Sequence, residues 1–411
     1  MKTDVTGVLI IHNDSSLLEQ TLSTVTNYID RLLIVDGAYE WVAPFCELNN
    51  EDPEKSTDNM LDIIKRTGLP YEYYSGVWQN ETHKRMFSLE KTKTNRIMRI
   101  DSDELFELDD NKLNQYFDSG KVFGECHVPL YFTNHVIGQS IGLNSSPIVP
   151  IFINKQFATV RQIVDSMFLL VPQDERTKRL GRDASFKEKL GIVHHVSSFR
   201  INRGSYRRAR FYNLLSMRMA KKMGLINNEP FETDSEFFEK MSKLSPEEMA
   251  ALDTIFEFHR INAAFPVIKE KQILVEAQAA RQDIQPIIDE TFQMMIDDQH
   301  LRLQQNAEKT ITLFANRQLF FDVTRAVTSS PQSFRIFSSS LERLEIKIHY
   351  DQGLVRSELP LHVTSEAVGE WSATLPQLGA QDIRCILEII PFGPKRINDF
   401  RYCFMDTRNP K

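Results

Sequence analysis

The strongest constraint on this chain is the alternation of strand-like and helix-like segments over its first 135 residues. Val8-Leu9-Ile10-Ile11 is a short apolar run. The cluster that follows, Asn13-Asp14-Ser15-Ser16, is suited to cap a helix whose apolar positions are Leu17, Leu18, Leu22 and Val25. Residues 32–35 form the next strand, ending at Asp36-Gly37, and residues 38–55 read as an irregular insertion or lid. Ser56-Thr57-Asp58 opens a second helix around Met60, Leu61, Ile63 and Ile64. Residues 70–74 give a third strand, 80–93 a third helix and 96–100 a fourth strand. Such alternation predicts an α/β unit with a mostly parallel, Rossmann-like sheet and right-handed crossovers.

Beyond residue 122 the pattern loosens into short strands at 122–129, 148–153 and 191–196. Residues 205–307 read as helical. They begin with a basic stretch at 205–223, restart at Ser245-Pro246-Glu247-Glu248, and carry apolar positions at Leu274, Ile284, Ile287, Ile288 and Met294. From about Lys309 the character changes to short β-type runs at 310–314, 319–323, 334–337, 344–349, 383–390 and 400–405. The expected organisation is an α/β unit over 1–204, a helical region over 205–307 and a β-sandwich over 308–411 that serves as a carbohydrate-binding or interaction module.

Composition narrows the function classes. A net charge of −7 argues against a nucleic-acid binder that works by overall basicity. No run approaches the roughly 20 apolar residues that span a bilayer, so no transmembrane segment is expected. Peripheral membrane contact and oligomerisation are left open. Cys46, Cys126, Cys385 and Cys403 are scattered without a CxxC pair, which suits reduced thiols. The N-terminal apolar run is too short for a signal peptide and leads into His12-Asn13-Asp14, so a cytoplasmic location is expected.

The sharpest chemical signal is Arg96-Ile97-Met98-Arg99-Ile100-Asp101-Ser102-Asp103-Glu104. An apolar strand running into clustered acids puts them at the carboxyl edge of a parallel sheet, where open α/β sheets bind ligands. If extended geometry persists, Asp101 and Asp103 project to one side and Ser102 to the other. Two oxygen donors so placed suit Mg²⁺ or Mn²⁺. An acid-x-acid triplet alone is more often a solvated loop; the strand before it favours metal binding. Asp36, at the end of the second strand, is placed to accept hydrogen bonds from a base or ribose, or simply to form an Asp-Gly turn.

In Gly191-Ile192-Val193-His194-His195-Val196 the two imidazoles point to opposite faces of a strand, so at most one reaches a metal. Arg200 and Arg203, at the head of a series continuing through Arg207, Arg208 and Arg210, are candidates for phosphate oxygens, as are Lys84 and Arg85. A solvated basic helix face accounts for most of that series. His12 stands at the end of the first strand, beside the same edge. Trp78, Tyr131 and Phe132 are explained by core packing.

The ordered set of His12-Asn13, Leu33-Ile34-Val35-Asp36-Gly37, Ser56-Thr57-Asp58, Lys84-Arg85 and Ile100-Asp101-Ser102-Asp103-Glu104 resembles the family 2 type of GT-A glycosyltransferases, over roughly residues 5–210. The resemblance implies a nucleoside-diphosphate-sugar donor, with uridine as the family-level base. It also implies a DxD segment (Asp101, Ser102, Asp103) holding Mn²⁺ or Mg²⁺ on the diphosphate, with His194 or His195 completing the metal or phosphate side. His12, Asp36, Lys84, Arg85, Arg200 and Arg203 would serve the nucleotide, and the acceptor would be a glycan or glycoconjugate, as in polysaccharide biosynthesis. For an inverting reaction the acceptor base is sought among Glu104, Asp165, Asp174 and Glu175. Residues 38–55 depart from the common pattern by separating Ser-Thr-Asp from the strand-end Asp. A sugar nucleotidyltransferase would share the α/β core but usually has a Gly-rich phosphate loop where this chain has His12-Asn13-Asp14-Ser15-Ser16. A non-catalytic carbohydrate-binding or scaffold protein would keep the fold without the metal.

Overall fold

The computed structural model describes residues 4–40, 43, 46, 51–131, 133–140, 148–164, 167–172, 184–200, 272–277, 280–307, 310–315, 319–324, 327, 332–352, 355–378, 383–394 and 396–406. Its N-terminal part alternates as the sequence predicts: β1 (Val5–Ile11), α1 (Leu18–Val25), β2 (Arg31–Asp36), α2 (Met60–Arg66), β3 (Tyr71–Ser75), α3 (Glu81–Lys91) and β4 (Arg96–Ile100). These strands lie in the order β3-β2-β1-β4, all parallel, with Ile11 opposite Asp36 and Leu9 opposite Ile100. The apolar residues of β1, β2 and β4 are buried on both faces, as a sheet covered by helices requires, while the edge strand β3 is partly exposed.

Beyond β4 the same sheet becomes mixed. β9 (Ile148–Asn154) pairs antiparallel with β4 and with β6 (Phe123–His127). β12 (Gly191–His195) then runs parallel to β6 and to β7 (Leu130–Tyr131), and antiparallel to β5 (Glu104–Leu108). Neither β5 nor the helix after it, α4 (Asp110–Ser119), stood out in the sequence, although both carry signals. Glu104-Leu105-Phe106-Glu107-Leu108 has apolar residues on both faces, and α4 is capped by the Asp109 side chain and ends at Gly120 in the left-handed region.

The far edge holds a correction. β8 (Val136–Ser140) pairs antiparallel with β13 (Gln272–Glu276), so Leu274, which the sequence places in a helix, lies in a strand. A short Ile-Leu-Val run satisfies either period, and here an open sheet edge claims it. Helix α5 (Gln285–Ala307) does form, and its Ile284, Ile288, Met295 and Ile296 side pack with Leu105, Tyr131, Val196 and Phe199. The expected helical starts at 205–223 and 245–248 lie outside the described residues. β10 (Ala158–Val164) and β11 (Met167–Pro172) form a separate antiparallel hairpin.

The C-terminal part is two antiparallel sheets. One has the order β14 (Ile311–Phe314), β22 (Arg396–Asp406), β16 (Gln332–Phe337), β20 (Glu370–Thr374), β19 (Val363–Ala367); the other β15 (Leu319–Asp322), β21 (Ile383–Phe392), β17 (Arg343–Gln352), β18 (Val355–Leu361). Both feed one apolar cluster that includes Phe321, Phe334, Ile336, Ile348, Leu387, Phe400 and Tyr402, the shared core of a sandwich. Among the described residues the chain is thus an α/β unit with a mixed sheet, parallel over β3-β2-β1-β4, then a helix, then antiparallel β-sheets. No helix among the described residues is long and apolar enough to cross a membrane.

Candidate active site

The carboxyl ends of β1, β2 and β4 gather two carboxylate centres. The first is Asp36, fully buried. Its Oδ1 accepts from the Gly37 amide (2.6 Å) and the Ser56 hydroxyl (2.7 Å); its Oδ2 accepts from the Ser56 amide (2.7 Å) and the Tyr73 hydroxyl (2.8 Å). The His12 imidazole Nδ1 stands 3.7 Å from Oδ1. Burial pushes this carboxyl up, but His12 and the donors of Ser56 and Tyr73 outweigh it and hold its pKa below the ordinary value. With four donors on two oxygens, Asp36 organises the sheet edge from inside instead of offering its oxygens to a ligand.

This arrangement answers the spacing problem of residues 38–55. Ser56 is 20 positions from Asp36, yet binds it twice. The Asn13 amide donates to Ser56 Oγ (2.9 Å), the Thr57 amide to Asn13 Oδ1 (2.7 Å) and the Ser15 amide to Asp58 Oδ2 (3.0 Å). Asn13 adopts a positive φ of 46° to make these contacts, a conformation that Asn tolerates better than most residues. Ser-Thr-Asp is thus stitched to the turn after β1, and the insertion leaves and returns at one carboxylate. Gly37 is required at the exit: its φ is +103°, and an added Cβ would stand 2.0 Å from the Gly76 carbonyl oxygen.

Lys84 and Arg85 are neighbours on α3 and diverge, as helical geometry demands. Lys84 is buried and donates to the Ile11 carbonyl (2.9 Å) and the Gly37 carbonyl (2.7 Å), tying the ends of β1 and β2 together. It is engaged with backbone and not turned to a phosphate, a correction to its expected role. Arg85 donates to Asp101 Oδ1 (3.1 Å) and also meets Glu81 (3.3 Å).

The second centre is the acid turn. The extended geometry does not persist past Ile100: residues 101–104 form a turn closed by the Glu104 amide on the Asp101 carbonyl (3.3 Å). The strand-alternation argument for Asp101 and Asp103 therefore fails, and the turn itself brings their charges together. Asp101 is flanked by Arg85 and by Arg99, 3.8 Å away. Burial opposes its charge, and the two guanidiniums more than compensate, so its pKa is lowered. Ser102 donates to Asp14 Oδ2 (2.7 Å). Asp103 Oδ2 takes His195 Nε2 (3.1 Å) and Arg200 Nη2 (2.9 Å), and the same Arg200 nitrogen reaches Asp14 (3.0 Å).

The antiparallel β5–β12 register sets His195 opposite Glu104 and turns its ring to Asp103. Burial lowers the pKa of His195, but the Asp103 carboxylate prevails and the net shift is upward. His194 points the other way, buried, with Nδ1 on the Tyr131 hydroxyl (2.8 Å) and Nε2 on Glu107 (3.2 Å). With both ring nitrogens engaged there, it stands apart from the acids, a correction to its candidacy as a metal ligand. Glu104 is buried and bound to Arg99 (2.9 Å). Burial is the main cause that pushes its pKa up, to about 7. Being enclosed, Glu104 meets Arg99 and not an incoming acceptor, against its candidacy as base. Asp165, Asp174, Glu175, Arg203 and Phe132 lie outside the described residues.

Arg99 and Asp14 escaped the sequence reading. Each had a signal: Arg99 sits two residues before Asp101, on the strand that leads into the acid turn, and Asp14 lies in the turn after β1, at the same sheet edge.

No protein-family profile matches the chain, and no curated protein matches it. Solved structures that match include glucosyl-3-phosphoglycerate synthase from Mycobacterium tuberculosis in complex with Mn²⁺, uridine diphosphate and phosphoglyceric acid. That match has 14% identity and a TM-score of 0.31, and covers 47% of this chain and 71% of that one. TarS from S. aureus matches at 10% identity and a TM-score of 0.27, over 91% of this chain and 72% of that one. A shorter form of TarS solved with UDP matches at 11% identity and a TM-score of 0.29, over 78% of this chain and 96% of that one. The likeness to these structures is one of fold alone.

Proposed function

We propose that this chain is a divalent-metal-dependent glycosyltransferase that moves a sugar from a nucleoside diphosphate, uridine diphosphate in the first instance, to a hydroxyl of a glycan or glycoconjugate. The observation that carries the reading is the acid turn. At the carboxyl edge of four parallel strands, Asp14, Asp101 and Asp103 are held by Arg85, Arg99, Arg200 and His195. A structural acid is more economically satisfied by neutral donors, as Asp36 is. Acids paired with cations at a ligand-binding edge form a set that can exchange partners.

The donor set suits a hard divalent ion. Asp101, whose side chain retains 30% exposure, and Asp103 supply carboxylate oxygens, and His195 supplies an imidazole nitrogen once neutral. The partners of these carboxylates include the guanidiniums of Arg85, Arg99 and Arg200, so an ion of the same sign replaces like with like. Bound there, Mn²⁺ or Mg²⁺ would act as a Lewis acid on the departing diphosphate. Arg85 and Arg200, released from Asp101 and Asp103, can each offer a planar pair of N–H donors to phosphate oxygens. Arg99 stays on Glu104 and keeps the turn in place. Asp36 and Lys84 hold the ends of β1 and β2 rigid beneath the nucleoside side.

The reading is tested by thermal-shift titration of uridine and guanosine diphosphates with and without Mn²⁺, on the native protein and on Asp103→Ala. A ligand bound only by the folded state raises the melting temperature. The expected result is a shift that requires both Mn²⁺ and Asp103, accompanied by slow metal-dependent hydrolysis of the matching nucleotide-sugar. No shift with either nucleotide, in a folded sample, overturns the donor assignment. A shift without turnover of any nucleotide-sugar places the chain among non-catalytic binders.

A further inference from the structure

A second group of ligating side chains lies outside the acid turn, where the insertion meets the end of β1. His12, Cys46 and Glu51 each offer one ligand atom, and these atoms all lie within 4.8 Å of one another. His12 Nε2 and Cys46 Sγ are 3.5 Å apart. A tetrahedral ion with ordinary metal–nitrogen and metal–sulfur bonds separates two such ligands by about 3.5 Å.

The surroundings are those of a ligand set. His12 Nδ1 is buried without a hydrogen bond and faces the Asp36 carboxylate at 3.7 Å. A carboxylate behind the far nitrogen fixes the tautomer with the proton on Nδ1 and leaves the Nε2 lone pair pointing forward. Asn13 Nδ2 meets Glu51 Oε2 at 3.3 Å and steadies that carboxylate from behind. An S–H···N hydrogen bond would account for His12 and Cys46 alone. The Glu51 amide on the Cys46 carbonyl (2.8 Å) brings its carboxylate beside that pair, and a cation would use all three groups together.

We propose that His12, Cys46 and Glu51 form a binding site for a zinc-class divalent ion, separate from the acid turn. The ligand types select the metal: a thiolate with an imidazole favours Zn²⁺ or Co²⁺ and disfavours Mg²⁺ and Mn²⁺, which suit the oxygen-rich turn. With three protein ligands the fourth position belongs to water. On binding, Cys46 gives up its thiol proton to solvent, and Glu51, half-buried on the insertion, supplies a carboxylate oxygen. The ion ties the insertion, through Cys46 and Glu51, to the strand end that carries His12. This inference does not depend on the transfer reaction.

The test is a Co²⁺ titration of the full chain after chelator treatment, read by the thiolate-to-cobalt charge-transfer band, with zinc content of the untreated protein measured by mass spectrometry. The expected result is one equivalent of Co²⁺ with a thiolate band, displaced by Zn²⁺. Cys46→Ser should abolish the band, and Glu51→Gln should weaken Co²⁺ binding about 10- to 100-fold. Asp103→Ala should leave the band intact, which separates this site from the acid turn. If Cys46→Ser fails to fold, Glu51→Gln carries the test, because its carboxylate is exchanged for an amide of the same shape. Absence of a thiolate band in the native protein, or a band and affinity unchanged in both variants, overturns the proposal.

Discussion

Asp36 and the acid turn stand at the ends of β2 and β4, the two strands flanking β1, and they satisfy their charges in opposite ways. Asp36 takes its four hydrogen bonds from backbone amides and hydroxyls, all inside the protein. Asp101 and Asp103 lean on guanidinium and imidazolium groups. Neutral donors placed by the backbone cannot leave without local unfolding. A guanidinium on a long side chain can swing to another anion at little cost in covalent geometry. The lesson is that the partner, more than the acid, separates a carboxylate built for architecture from one built for ligands.

The sharpest way to break this comparison is to neutralise each centre in turn. Asp36→Asn puts an amide donor against several donors in a buried site, and about 3 kcal/mol or more of stability should be lost in a denaturant melt. Asp103→Asn should lose measurably less stability than Asp36→Asn, because its partners His195 and Arg200 are partly exposed, while lowering metal-dependent turnover of the nucleotide-sugar about 100-fold. Equal stability losses in the two variants would show that both centres are architectural.

Lys84→Met sharpens the comparison from the cationic side. It removes the ammonium from the Ile11 and Gly37 carbonyls while keeping an unbranched apolar chain. Two buried carbonyls left unpaired should cost about 2 kcal/mol, and nucleotide affinity should change little where the variant is folded. A selective loss of nucleotide binding at unchanged stability would return Lys84 to the ligand.

The smallest effect concerns pH. Glu104 has its pKa raised from 4.5 to about 7, so folding opposes its ionisation and stability declines as pH rises between those values. His195 also titrates above its ordinary value in the folded state. Its contact with Asp103 therefore stabilises in mildly acidic solution and fades as pH rises through the raised value. Both signs agree. The melting temperature of chelator-treated protein should fall from about pH 5 to about pH 8, and Glu104→Gln should flatten part of that slope. A slope unaltered by the substitution would remove Glu104 from the account.

The parallel strands were legible because each is a short apolar run bounded by a turn signal, and both acid centres were visible at strand ends. Six β-runs of the C-terminal part were legible for the same reason, whereas β18, β19 and β20 were not read from the sequence. What escaped was set by pairing. Arg99 looks like one more strand residue until Asp101 folds back beside it. His194 and His195 are equivalent in sequence, and only the β5–β12 register separates them. Leu274 is strand because β8 offers it an edge. Lys84 and Arg85 carry like charges, and what parts them is one residue's rotation about a helix axis.

The closure of the insertion onto a single carboxylate has a consequence for how such a chain can change over generations. Residue 37 leaves and residue 56 returns within hydrogen-bonding reach of Asp36, while Ala38, Tyr39 and Cys46 between them pack with Val8, Leu33 and Val35 of the sheet. Doubling that stretch would add only about 0.6 kcal/mol of closure entropy. Variation in length and sequence is therefore expected at positions other than these packed anchors, where it leaves the strands on either side aligned.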